Sequence, residues 1–538
     1  MTATYPLETA RTHLSLQKNH EKYNSLKNVF QKLSLRELYA GLRMSMFGFA
    51  PWNAINFASY NKYKLIFEDY KEYKNTYKLL CGGFAGMTAI TVTYPTDLIR
   101  KRLQMQSFSN DVPRYNGIID CTNKILRSEG IIGLYRGLSI SYIKTFPTLA
   151  IQFWCYETLN DILKSKLDFN NIDLAIITDE DSIYYFTGYY DYLHMDFGRP
   201  TILLVCKENE SHLITPEMER HMASFSASVD KISFWNDGKD DEWRHYLQGA
   251  FDKASKIALE KNSIPSIIHN YIKSLLSDHI SLDIIPIISD IRMIKSEEEL
   301  NLARHAGQVA IAMMNAGKNA IYEGVEEYEV ALATSAAGTR VAAELLKKHY
   351  NDSNMSPNTH FLQIMSSGEN IAMPHHRAST KKIKFGEPVF LCFCGMTNFN
   401  RFKLGFDRTF WLGEIRNSNQ KKIYDLAIKS QSVALSLLKP GAVAEDIHKS
   451  YAEVISEAGF DYPFRCGRAT GFSFLEKPEI VYGDKTIIKP GMVLAIDGSI
   501  TLDSKFRVQV GDSFIVTDDG YECITPFPNS IDDVIING

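Results

Sequence analysis

The feature that most constrains this chain is an internal repeat. "TYPLETARTHLSLQ" at 4–17 is echoed by "TYPTDLIRKRLQMQ" at 93–106. In both, Tyr-Pro is followed by an acid two residues after the Pro, an Arg five after it and Gln further on. The echo continues where "LYAGLRMSMFGFAPWNAINFASY" (38–60) lies beside "LYRGLSISYIKTFPTLAIQFWCY" (134–156). Tyr39 pairs with Tyr135, Pro51 with Pro147, Phe57 with Phe153 and Tyr60 with Tyr156, each 96 apart (147 − 51 = 96). The Tyr-Pro pairs are 89 apart (95 − 6 = 89), so the intervening loop differs by seven residues (96 − 89 = 7). Such a repeat builds one supersecondary unit more than once, and here it ends near residue 165.

Three stretches of the repeat region have the length of membrane helices: about 42–65, 76–98 and 138–162. A span needs roughly 20 mostly apolar residues. The middle stretch, "LLCGGFAGMTAITVTYP", carries Gly82, Gly83 and Gly86 on a face that lets helices pack closely. The other two carry Asn53, Asn56, Lys144 and Gln152, polar groups that inside a membrane face a cavity or a partner. Buried soluble helices are the competing reading of the same pattern.

The repeat resembles the mitochondrial carrier family. Its odd-helix signature, Pro-x-acid-x-x-base, fits Pro95, Asp97 and Arg100, followed by Glu129-Gly130 and Tyr135-Arg136-Gly137. Pro6, Glu8 and Arg11 fit it again, with Ala40 replacing the base of their downstream box. The even-helix motif is eroded: Tyr60-Asn61 ends in Lys64, and Tyr156-Glu157 ends in Asn160. In this family the Pro kinks the helix, and the acid of one repeat pairs with the base of the next to close a gate on the matrix side. "GFAPW" and "YIKTFP", with Lys144, look most like carriers of adenine nucleotides or coenzyme A. The resemblance implies a chain that starts inside the third of six helices. Two repeats cannot complete a three-repeat gate, so no transport by this chain alone is expected. It further implies an inner mitochondrial membrane location.

From about 166 the pattern changes to soluble α/β. "DLAIITDED" (173–181) and "PTILLVCKENESHLITP" (200–216) are β-rich runs separated by turn residues. "RMIKSEEELNLARHAGQVAIAMMNAG" (292–317) is an amphipathic helix, with Ser296 and Glu299 spaced as a capping box. Two apolar strands follow near 388–413, and others at "GMVLAIDGSIT" and "RVQVGDSFIVTDDGYE", where Asp519-Gly520 marks a turn. The net charge of −4 gives no basic excess for nucleic acid. The 8 cysteines follow no disulfide or zinc spacing, which points to a reducing compartment.

These residues resemble the creatinase and pita-bread family, which includes methionine aminopeptidase and prolidase, over about two thirds of the chain. The resemblance divides the chain into 1–165, a partial carrier; 166–290, a creatinase-like N-terminal domain; and 291–538, a pita-bread catalytic domain. The fold class expected is therefore two unrelated parts: all-α transmembrane carrier-type helices, then an α/β domain plus an α+β pita-bread domain.

The family's peptidases hold two metals with two Asp, one His and two Glu. Carried over by motif, the first Asp falls on Cys392, the second on Gly405, the His on Arg468, one Glu on Asp497 and the last Glu on Gly511. Glycine and arginine do not ligate divalent cations, so no metal and no other cofactor is expected. Metal-free members, creatinase and ectoine-hydrolase-like enzymes, cleave C–N bonds of small zwitterions with a His and carboxylates. The resemblance implies His375, Asp407 and Asp497 as catalytic, with Asp standing at two family Glu positions. It implies Phe197, Arg199, His376, Arg377 and Arg468 as substrate-binding, Arg199 reaching a carboxylate across a homodimer interface. The partners implied are a small zwitterionic or carboxylate substrate and a lipid bilayer. Three readings follow: a membrane-anchored metal-free hydrolase, a dead binding domain on carrier helices, or two genes joined in one reading frame.

Overall fold

The structure, a computed structural model, describes residues 74–105, 115–139, 161–190, 199–206, 211–236, 242–252, 254–275, 280–350, 364–393, 398–473, 475–502 and 505–537, with isolated positions elsewhere. The chain forms two compact units, residues 1–165 with 186–246, and residues 166–185 with 247–538.

In the first unit, helix α1 (Lys74–Met105) runs through Pro95 and helix α2 (Ile118–Gly133) breaks stride at Gly130, whose φ is 68°. Tyr94, Leu98, Ile99 and Leu103 of α1 are buried against Tyr115, Cys121 and Ile125, one small apolar core. Arg102 reaches Glu129 at 2.7 Å, tying α1 to α2. Asp97 pairs with Arg100 and Lys101 of its own helix, both at 2.6 Å; the signature residues of the other repeat, with which a pairing was expected, lie outside the described residues. Of the three expected spans, 76–98 falls inside α1. Most of 42–65 and 138–162 lies outside the described residues. No helix among the described residues is long and apolar enough to cross a membrane, so the transmembrane part of the expected fold class rests on the sequence motifs. The same unit pairs strands Ile202–Cys206 and Ser211–Pro216 antiparallel, with Lys231–Trp235 parallel to the latter.

In the second unit, Leu174–Ile177, Lys256–Leu259 and Ile280–Asp283 are parallel neighbours. "LAII" is buried at all four positions, as expected for a parallel strand covered on both faces. Helix α3 (Glu297–Ala320) opens with the expected capping box: Ser296 Oγ accepts from Glu299 N, and the Glu299 carboxylate accepts from Ser296 N. Helix α4 (Glu327–Leu345) packs against it.

A nine-stranded sheet follows. Its strands are β1 (Ile364–Ser367), β2 (Pro388–Cys392), β3 (Asp407–Leu412), β4 (Arg465–Ala469), β5 (Glu476–Val481), β6 (Val493–Leu502), β7 (Phe506–Val516), β8 (Tyr521–Cys523) and β9 (Ile535–Ile536). The order is β5-β4-β6-β7-β3-β2-β1, with β8 beside β7 and β9 beside β3. Helices α5 (Ser418–Leu437) and α6 (Ala444–Glu457) pack against the sheet: α5 on β6 and β7, α6 on β4 and β5. Buried apolar residues, among them Trp411, Tyr424, Tyr451 and Ile496, join the layers. Each large side chain removed from water contributes about 1.5–3 kcal/mol. The strands β2 and β3 are linked through a short hairpin, Asn398–Phe399 with Phe402–Lys403. Asn400 and Arg401 turn it with φ of 48° and 61°, the backbone of a tight hairpin turn. Asp181 grips it, accepting from Arg401 at 2.9 Å and Lys403 at 2.7 Å.

Candidate functional site

Side chains alternate along a strand, and β3 uses the alternation to separate two jobs. Arg408 points to one face, where its buried guanidinium donates to Asp512 Oδ1, Gly511 O, Asp407 O and Phe527 O, each at 2.8 Å. Burial pushes the Asp512 carboxyl up, against the opposing pull of the Arg408 cation. This pair fastens β3 to β7.

Asp407 points to the other face. It stands opposite Gly511 on β7, and Asp497 on β6 stands opposite the same glycine from the far side. A Cβ built on Gly511 would lie 2.3 Å from Asp497 Oδ1 and 2.7 and 2.9 Å from the two Asp407 oxygens. The two carboxylates thus fill the space where a larger residue at 511 would begin. Arg468, on β4 opposite Ala495, brings its guanidinium Nη1 to 3.9 Å from Asp497 Oδ2. A Cβ on Gly405 would lie 3.7 Å from Arg468 Nη2 and 2.5 Å from the Ala495 methyl. Cys392, buried on β2, stands opposite Asp407. Asp407 and Arg468 are buried, while the Asp497 side chain keeps 14% of its surface exposed.

The histidines lie on the loop that leaves β1. His375 and Arg377 are exposed and His376 is half-buried. One residue that sequence reasoning missed organises this loop. Glu327, the first residue of α4, is fully buried, and its carboxylate accepts five hydrogen bonds. Ser367 N and Oγ donate at 2.8 Å, Ser379 N at 3.0 Å, Ser379 Oγ at 2.6 Å, and His376 Nε2 lies at 3.2 Å. One carboxylate therefore closes the base of the loop that carries His375. Its only sequence signal is an acid in the first turn of a helix, which by itself reads as a response to the helix dipole.

Among the sequence-derived residues, the structure brings Asp407, Asp497 and Arg468 together. No hydrogen bond or ion pair among the described residues joins His375 to that group. Arg199 is half-exposed with Nη1 3.6 Å from Met218 Sδ. Phe197, Pro6, Glu8, Arg11 and Lys144 lie outside the described residues.

The donor set does not fit a two-metal centre. Among the described residues no three His, Cys, Asp or Glu side chains group as metal ligands. A glutamate could not enter at 511 without displacing both aspartates, and a cation occupies position 468. What the arrangement presents is two carboxylates beside a guanidinium, with Asp407 and Arg468 buried and Asp497 partly exposed.

Comparison with known proteins finds three family models. The mitochondrial carrier protein model matches residues 1–71 and 71–167, the creatinase/prolidase N-terminal domain model 161–294, and the metallopeptidase family M24 model 301–518. An Xaa-Pro dipeptidase of Pyrococcus furiosus is 28% identical over 372 residues, 69% of this chain and 97% of its own length. The agropine synthesis cyclase of Rhizobium rhizogenes is 25% identical over 386 residues, 69% of this chain and 96% of its own. Mitochondrial substrate carrier family protein P of Dictyostelium discoideum is 35% identical over 170 residues, 30% of this chain; the match spans 57% of that carrier. Among solved structures, an Xaa-Pro dipeptidase from Bacillus anthracis aligns with a TM-score of 0.60 at 22% identity, covering 71% of this chain and 99% of its own. A prolidase from Pyrococcus horikoshii aligns at 0.59 and 24%, covering 70% and 99%. These likenesses show the fold of the C-terminal part.

Proposed function

We propose, for a chain that joins a mitochondrial carrier region to a creatinase and M24 peptidase-family region, that residues 166–538 hydrolyse a C–N bond of a small zwitterion without a metal. The observation that carries this reading is the meeting of Asp407 and Asp497 over Gly511, with Arg468 beside them; of these, Asp497, Arg468 and Gly511 stand where the resemblance puts metal ligands of the family's peptidases. Two acceptors and a guanidinium suit a substrate with a cationic nitrogen and a carboxylate. In the reaction, water adds to the carbon, the C–N bond breaks, and His375 passes a proton to the leaving nitrogen. The aspartates hold the substrate cation. His376, Arg377 and Arg199 supply contacts to the substrate's anionic end, Arg199 across a homodimer interface, with Phe197 packing beside it. The relative named as a cyclase, matching the same share of this chain as the dipeptidase, supports a scaffold that is not confined to peptide cleavage.

The carrier region, of adenine-nucleotide or coenzyme A carrier lineage, anchors the hydrolase in the inner mitochondrial membrane. The hydrolase then lies on the face opposite the matrix, because the odd-helix signature faces the matrix and one further helix follows it. Protease added to mitoplasts should release the hydrolase region; its protection until the membrane is dissolved would reverse this topology.

A second reading, binding without turnover, draws on one observation: His375 is exposed, with no hydrogen bond to either aspartate. The deciding experiment is amine release by the detergent-solubilised full chain from creatine and a panel of N-acyl amino acids, compared with His375→Gln. Turnover lost in the variant supports hydrolysis. Tight binding with no amine released by wild type supports the binding domain.

A further inference from the structure

Gln509 lies on β7 two residues from Gly511, on the same face, and opposite Thr409 on β3. Its backbone is fixed twice by one hydroxyl: Gln509 N donates to Thr409 Oγ1, which donates to Gln509 O, both at 3.0 Å. Its side chain bridges two charges. Gln509 Oε1 accepts from Arg507 Nη2, and Gln509 Nε2 donates to Asp407 Oδ2 at 3.0 Å. The amide can face only one way, because a guanidinium has donors alone and an ionised carboxylate acceptors alone. Arg507 is itself held, with its guanidinium 5.3 Å from the centre of the Phe390 ring.

We propose that Gln509, oriented by Arg507, is a positioning residue that holds the Asp407 carboxylate over Gly511, close beside the Asp497 carboxylate. Both aspartates place oxygens within 2.9 Å of one point, the missing Cβ of Gly511. Two carboxylates converging there repel when both are ionised, and a nitrogen donor beside each offsets that repulsion. Asp497 has the Arg468 guanidinium at 3.9 Å; Asp407 has the Gln509 amide at 3.0 Å. The consequence for turnover rests on the hydrolase reading, but the geometry does not.

High-resolution structures of the solubilised full chain, wild type and Q509L, test the geometry without any ligand. The Asp407 carboxylate should turn away from Gly511 in Q509L; a carboxylate that stays in place overturns the proposal. R507M and R507K form a second pair should Q509L fail to fold. R507M should lengthen the Gln509–Asp407 contact and R507K, which keeps a donor, should restore it; equal contacts in both overturn the relay. With creatine as substrate, Q509L should lower kcat about 10–100-fold, the scale of a misplaced reacting group, with KM little changed and R507K recovering part of the loss seen in R507M. A wild type that releases no amine while Asp407 still turns in Q509L supports the positioning role and removes only the hydrolase reading.

Discussion

Asp407 and Asp497 meet over a glycine, their oxygens 2.7 Å and 2.3 Å from the point where a Cβ at residue 511 would sit. The absent side chain is as much a part of the site as the two carboxylates. The resemblance read from the sequence puts a metal-binding glutamate of the family's peptidases there; in this chain the two aspartates fill that space.

Restoring a side chain should therefore harm the protein. Gly511→Ala inserts a methyl group into occupied volume and should destabilise by about 1–3 kcal/mol, the usual range for overpacking; Gly511→Glu should cost more. Urea unfolding measures both. Unchanged stability in Gly511→Ala would mean that the aspartates yield freely.

Glu327 should behave as a fixed anion. Glu327→Gln turns half of its acceptors into a donor facing the buried amide and hydroxyl donors of Ser367 and Ser379. Each buried group left unsatisfied costs about 1–3 kcal/mol, so a comparable loss of stability is expected, together with faster amide hydrogen exchange across 367–379. Exchange that speeds up elsewhere but not in this loop would refute the role.

Lys295 and Glu476 form an ion pair at 2.9 Å with side chains 1% and 5% exposed. Removing one partner, as in Lys295→Met, should cost about 3–5 kcal/mol by stranding the other charge. Adding Glu476→Leu should recover much of it. An additive loss in the double mutant would show that the charges do not depend on each other.

The order of these contacts explains what the sequence could disclose. The capping box of Ser296 and Glu299 spans four residues and reads directly. The strands at 388–413 and 493–516 read from apolar runs bounded by turn residues. Asp497 and Gly511 read from motifs. By contrast, Glu327 meets Ser367 and Ser379 across 40 and 52 residues, and Gln509 meets Asp407 across 102. Such pairings are set by sheet register and helix packing, which no local pattern encodes.

His212 gives a dependence on pH. Its ring lies on a strand with Nε2 2.8 Å from Ser233 Oγ and its edge towards Tyr246. Burial, reinforced by the Lys231 cation, pulls its pKa from 6.5 down to about 4. A depressed folded-state value means that the stability is present above 6.5 and is lost as pH falls through about 4. Unfolding midpoints should drop across that window in wild type and drop less in His212→Asn; parallel curves would contradict the assignment.

The central claim is that this site works through two carboxylates, a guanidinium and a histidine in place of a metal pair. Amine release from creatine and N-acyl amino acids by the full chain, measured in EDTA and again after adding manganese, cobalt or zinc, tests it most directly. Turnover that persists undiminished in EDTA and gains nothing from added metal is the predicted result. Turnover that vanishes in EDTA and returns with the metal would contradict it.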